Sequence, residues 1–209
     1  MQRGGPLPGL RNADTFRPMH DERPRLYFDY VDPGSLLVRR RIATLGVDCS
    51  LVGYEMRPPP EPLVETADPA WVDYWEDTAR ELRATGIRPG PPGLVPWTRK
   101  AHELTLHAAD SSDEFAGMAM LDRLFFAYVE EGRDIGRIDV LVSLAIDVGL
   151  DEAEIRAVLD VDRWRGAVDR ARGEAQAAGV RGVPTLLRAG GRLEGVHDSE
   201  TIRAFLEDD

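Results

Sequence analysis

A single cysteine, Cys49, stands in 209 residues, so no disulfide can close within the chain and no Cys-x-x-Cys couple exists. No stretch approaches the ~20 apolar residues of a membrane-crossing helix, so no membrane partner is expected. A basic excess is missing too. Against 26 lysines and arginines stand 37 aspartates and glutamates, a formal charge of −11 that would repel a phosphate backbone, so nucleic acid is not an expected partner. His102 and His107 (HELTLH) are five residues apart. That puts them about 140° apart around a helix, not on the shared face of an i, i+4 metal pair. No metal site is expected, and both histidines read as structural or exposed. The Arg88-to-Gly93 segment has no lysine and no following Ser/Thr, so it is no phosphate loop. Ser35, Ser50, Ser143 and Ser199 lie outside any G-x-S-x-G context. No cofactor is expected from these motifs.

The hydrophobic share of 43% and charged share of 30% are those of an ordinary globular protein. The length suits one good-sized core or a small domain with a large insertion. Residues 1–24 are rich in Pro, Gly and Arg and lack the apolar run of a secretion signal. They read as a flexible arm on a cytoplasmic protein, or alternatively as a strap over a neighbouring subunit, which leaves a homodimer open.

Leu26 to Val31 (LYFDYV) reads as a buried strand between Pro24 and Pro33. A short helix follows, with Asp32 as N-cap, Pro33 at the first helical position and Gly46 as its end. Cys49 to Met56 reads as a second strand, stopped by Pro58-Pro59-Pro60. This is a βαβ unit, with parallel strands and a right-handed crossover expected.

The middle is helical. Trp71–Leu82 places Trp71, Tyr74, Trp75 and Ala79 on a common side, and Gly86–Pro96 is a Pro/Gly loop before a helix over Thr98–Ala108. From Ser112, residues Phe115, Met118, Leu121, Phe125 and Tyr128 recur at spacings of 3 and 4, and Ile138, Leu141, Ala145 and Val148 repeat the pattern. A short helix runs from Leu150-Asp151 through Leu159. Val161, Trp164, Val168, Ala171, Ala175 and Ala178 then form a stripe ending at Gly179. These stripes read as core.

The end returns to strands. Thr185–Arg188 and Arg192–Gly195 flank the hairpin turn Ala189-Gly190-Gly191. A last helix from about Ser199 turns Ile202, Phe205 and Leu206 inward. The order βαβ, helices, ββα fits an α/β thioredoxin-like fold with an inserted helical domain. Its expected division is 25–60 and 161–209 for the sheet domain and 61–160 for the insertion.

Two segments carry a family resemblance. Tyr27-Phe28-Asp29-Tyr30-Val31-Asp32-Pro33-Gly34-Ser35 resembles the strand-to-helix turn of DsbA-family proteins, where Cys-Pro-x-Cys follows the aromatics. Gly179 to Thr185 (GVRGVPT) resembles their cis-proline loop. Ala101-His102 and the run Leu124 to Leu150 resemble the helical block of FrnE-like proteins, and the likeness spans roughly residues 25–209. It implies a dithiol oxidoreductase whose attacking cysteine falls on Asp32 and whose resolving cysteine falls on Ser35. Dithiol–disulfide activity is therefore not expected. Cys49 reads as a small buried hydrophobe.

Redox exchange needs a thiolate at the helix N-terminus, where the dipole lowers its pKa. Asp32 offers that field a carboxylate, which is no two-electron centre. Asp32 either simply caps the helix, or, with Ser35, faces a cleft beside Val183-Pro184 and holds a ligand. On the second reading Asp32, Pro33, Gly34, Ser35, Val183, Pro184 and His102 are the candidate binding residues, for a peptide or a small thiol. Asp32 and Ser35 are the only catalytic candidates. A neighbouring group, similar in fold, is the glutathione-dependent 2-hydroxychromene-2-carboxylate isomerases and kappa-class transferases, which would make glutathione a co-substrate. In that group a serine sits at the first cysteine position. Here that position is Asp32, whose charge would raise a neighbouring thiol's pKa.

Overall fold

A computed structural model describes residues 23–91, 93–111, 113 and 115–207; the N-terminal arm lies outside them. The described chain runs β1 (Arg25–Phe28), α1 (Pro33–Leu45), β2 (Ser50–Gly53), α2 (Pro69–Ala84), α3 (Arg99–Ala109), α4 (Ala116–Val129), α5 (Ile138–Asp147), α6 (Glu152–Asp160), α7 (Arg165–Ala177), β3 (Thr185–Arg188), β4 (Gly191–Glu194) and α8 (Ser199–Glu207). The sheet order is β2-β1-β3-β4. β1 is parallel to β2, with Leu26 opposite Leu51, and antiparallel to β3, with Leu26 opposite Leu186. The hairpin β3–β4 closes one edge. This is the thioredoxin-like α/β fold carrying additional helices.

Local chemistry sets the elements. Asp32 in extended conformation caps α1, Pro33 opens it, and Gly46 ends it in the left-handed region at φ 68°. Asp68 and Asp151 cap α2 and α6 through their side chains. One apolar cluster runs from the sheet (Leu26, Phe28) through α1 (Leu37), α2 (Trp75), α4 (Leu124, Phe125) and α5 (Leu141) to α8 (Ile202). Arg39 on α1, almost wholly buried, pairs with Asp122 on α4 at 2.5 Å. The Pro/Gly loop is pinned where Gly90 accepts from Trp75 Nε1 at 3.0 Å and donates to the Val129 carbonyl. Among the described residues no helix is long and apolar enough to cross a membrane.

Several expected boundaries shift. β1 ends at Phe28 rather than Val31, because the Asp29 carboxylate turns back onto the Tyr30 amide. β2 begins at Ser50, leaving Cys49 buried just before it. Val161 does not belong to a core stripe. It is 69% exposed, and Asp162 at φ 52° separates α6 from α7, which starts only at Arg165. Phe115 and Ile138 are likewise exposed at helix starts. His107 is buried, with Nε2 3.4 Å from Glu154.

A methyl group added at Gly53 would overlap His102 Nδ1 and lie 3.0 Å from Cε1. The strand therefore passes directly under the imidazole of α3. We expect Gly53→Ala to cost about 1–3 kcal/mol, read as a lowered urea midpoint with unchanged m-value. A variant as stable as the parent would contradict this packing.

Candidate functional site

The turn between β1 and α1 is built around one carboxylate. Asp32 Oδ2 accepts from the Ser35 amide at 2.7 Å and from the Ser35 hydroxyl at 2.5 Å. Its Oδ1 accepts from the Tyr74 hydroxyl, on α2, at 2.6 Å. Asp32 is 4% and Ser35 0% exposed. Gly34 has no room for a side chain. A methyl group there would overlap the Tyr74 hydroxyl and lie 2.7 Å from Val196 Cγ2. Asp32 and Ser35 thus do not face an open cleft, contrary to the ligand-holding alternative. Tyr74 and Val196 cover the turn, and Asp32 is a helix cap with both oxygens engaged.

His102 meets this turn through a polar contact with Asp29 and ring packing on Tyr30. Asp29 Oδ1 lies 3.1 Å from His102 Nε2 and accepts from the Tyr30 amide at 2.8 Å, while Oδ2 accepts from the Met56 amide at 2.9 Å. The Asp29 amide donates to Ser35 Oγ at 3.3 Å. The ring of His102 is buried against Phe28 and Tyr30, at centroid distances of 5.7 and 4.9 Å. Beside this pair, Arg99 at the start of α3 donates twice to Glu55 Oε2, at 3.0 and 2.7 Å, and also meets Asp169 of α7 at 2.9 Å. Glu55 is fully buried and its Oε1 has no hydrogen-bond partner among the described residues.

The Val183–Pro184 bond is cis. Pro184 is buried and Val183 half-buried. The Pro184 carbonyl accepts from the Gly195 amide at 2.8 Å, and the Thr185 hydroxyl donates to the Gly182 carbonyl. Thr185, the next residue, pairs with Tyr27, so the loop lies at the end of β1 from which the Asp32 turn departs. Val183 itself packs with Tyr27, Tyr54 and Val180.

Burial pushes the Asp32 carboxyl up to about 6, while the bonds from Ser35 and Tyr74 pull it down and the Asp29 charge adds to the rise. Burial and the neighbouring Asp32 charge push the Tyr74 hydroxyl far above its usual range, so it stays a donor. Burial also raises Glu55 against the pull of Arg99. Asp29, Tyr74, Glu55 and Arg99 were not among the expected site residues. The aromatic-Asp-aromatic pattern around Asp29 was the one signal that could have marked any of them. Among the described residues no group of three or more His, Cys, Asp or Glu could hold a metal.

Residues 78–207 match the family described as DSBA-like thioredoxin domain. The chain is 26% identical over 194 residues to the uncharacterized protein YwbO of Bacillus subtilis, covering 88% of this chain and 96% of that protein. In fold it is similar to a probable DsbA oxidoreductase from Streptomyces coelicolor (TM-score 0.74, 21% identity, 88% of each chain). It is also similar to a 2-hydroxychromene-2-carboxylate isomerase (TM-score 0.67, 18% identity, 87% of this chain and 91% of that one).

The raised Asp32 value fixes the sign of a pH effect. From its ordinary 3.8 the folded group rises to about 6, so the folded state holds the proton more tightly than the unfolded state. The stabilising contribution is full below about pH 4 and disappears as pH climbs through about 6, a difference on the order of 3 kcal/mol. Asp32→Asn carries no charge at any pH. Its melting temperature relative to the parent should therefore rise between about pH 4 and pH 8. A pH-independent offset between the two proteins would show that Asp32 does not titrate in this way.

Proposed function

The chain belongs to the DSBA-like thioredoxin domain family, and from that membership we propose that it is a non-redox member which binds an extended peptide or a small thiol along the cis-proline loop. The observation that carries this reading is the sealed Asp32–Ser35 turn. Where a dithiol would react, a carboxylate and a hydroxyl bond each other under Tyr74. The chain's one sulfhydryl, Cys49, is buried, with Sγ 3.6 Å from the Ser50 carbonyl. It lies on the second-strand side of the sheet and not at the turn.

The loop retains an edge suited to binding. Among the described residues the Val183 backbone amide and carbonyl take part in no hydrogen bond. An extended chain laid beside them would add main-chain pairing, as in strand addition. Asp32 to Ser35 then serve as a rigid wall that holds the loop, not as reacting groups.

The glutathione-dependent isomerase or transferase reading needs a hydroxyl turned toward a sulfur. Ser35 Oγ instead donates to Asp32 and accepts from the Asp29 amide. The Asp32 charge would also hold a nearby thiol in its protonated form.

In an insulin-reduction or dithiol-oxidation assay we expect no turnover above background, for the parent and for Cys49→Ala alike. Turnover that survives Cys49→Ala would overturn the proposal, since no protein thiol would remain. Calorimetry supplies the binding half. Heat on titrating glutathione supports the thiol ligand, and heat on titrating an unstructured peptide supports the peptide. Silence from both at about millimolar concentration, where affinities are near 4 kcal/mol, leaves the loop without a ligand and the reading without support.

A further inference from the structure

A pocket of about 320 Å³ lies between the β1–β2 surface, α3 and α7. Its origin is in the sequence of α7. The residues this helix contributes to the wall include Ala167, Val168 and Ala171, and the strand opposite contributes Gly53. The space over Gly53 is taken by the His102 ring, which also lines the pocket, so it is the small alanines of α7 that leave open a volume a close-packed interior would fill. The size falls at the lower end of ordinary ligand sites. It has room for roughly ten groups of water size at about 30 Å³ each.

The walls are dry. Phe28, Val52, Leu106 and Val168 line them, and the hydroxyls of Tyr30 and Thr105, which also face this space, bond to each other. Charge is confined to Arg25, Arg170 and Glu174. Arg25 is half-buried and Arg170 lies at the exposed rim of the pocket. Neither Arg25 nor Arg170 has a carboxylate partner among the described residues, and Arg25 contacts only the Tyr27 hydroxyl, at 3.5 Å. In a chain of net charge −11, two guanidinium groups without carboxylates beside one apolar pocket are the complement of an anion. Glu174 in the same lining offsets one of them, which favours a single negative charge over two.

We infer that this pocket binds a small apolar monocarboxylate, with its hydrocarbon body against Phe28, Val52 and Val168 and its carboxylate held by Arg25 and Arg170. A guanidinium fork matches a carboxylate with two parallel hydrogen bonds, and burial of the alkyl or aryl body supplies the remaining affinity. The inference does not rest on the cis-proline loop; Tyr27 and Val52, which pack in one cluster with Val183, border both.

The full-length protein should be titrated by calorimetry with octanoate, octanol and octyl phosphate. Octanoate should bind, and Arg25→Gln/Arg170→Gln should weaken it at least about tenfold, the worth of a charge-assisted contact, while leaving octanol unchanged. Filling the space with Ala171→Phe should abolish binding of both. Ala167→Leu is a second filling variant, and melting curves confirm that each is folded. The inference is overturned if octanoate does not bind, if its affinity survives both filled variants in folded protein, or if charge removal weakens octanol equally. Octyl phosphate binding more tightly than octanoate would overturn the monoanion assignment. None of these outcomes depends on glutathione or peptide binding, so this inference and the functional reading above can fail separately.

Discussion

The Asp29 carboxylate is the point on which the architecture around the turn depends. It is almost wholly buried and bonds to three separate pieces of chain: the turn after β1, the segment after β2 and the helix α3. Its own amide is tied to Ser35 of α1. A buried carboxylate is costly unless several donors surround it. Here the donors come from elements that would otherwise be joined only by apolar contact, which has no direction. Removing any of them leaves a buried charge short of partners, so the sheet ends and the two helices are fixed to one another together.

From Asp29 the polar chain continues through the Ser35 hydroxyl to Asp32, and from Asp32 to Tyr74 on α2. The helix N-terminus that stabilises a thiolate in a redox enzyme here stabilises a carboxylate that is already satisfied. The position that is a reactive centre in a dithiol enzyme of this fold is a structural one here. The difference involves Tyr74 and Val196 as much as Asp32 and Ser35, because these side chains cover the turn.

Much of the fold was legible because its signals are local. Asp32-Pro33 announces the start of α1 within two residues, the apolar spacings of α4 and α5 announce helices within a few turns, and Gly190 announces the hairpin. The site was less legible because its contacts join residues distant in sequence. His102 lies 73 positions from Asp29, and Tyr74 lies 42 from Asp32. Nothing in the periodicity of α2 marks Tyr74 as the residue that closes the turn. The pocket beneath α7 was illegible for a related reason. Ala167 and Ala171 look like ordinary small core residues until the β1–β2 surface and α3 are found facing them across an open space. Val161 misled because a stripe of apolar spacing continues through the break at Asp162, where the backbone turns left-handed.

The glycine at position 34 bears on how this turn could change over time. Its missing side chain is the gap that the Tyr74 hydroxyl occupies. Cysteines placed at 32 and 35 would lie beneath that hydroxyl, sealed from any disulfide substrate, and the Tyr74 donor would lose its carboxylate in the same step. Exchange chemistry at this turn would need that lid withdrawn as well as two cysteines, so neither change produces it alone. Two cysteines by themselves would therefore not make this turn a reactive centre: the cover that Tyr74 provides would have to change together with them.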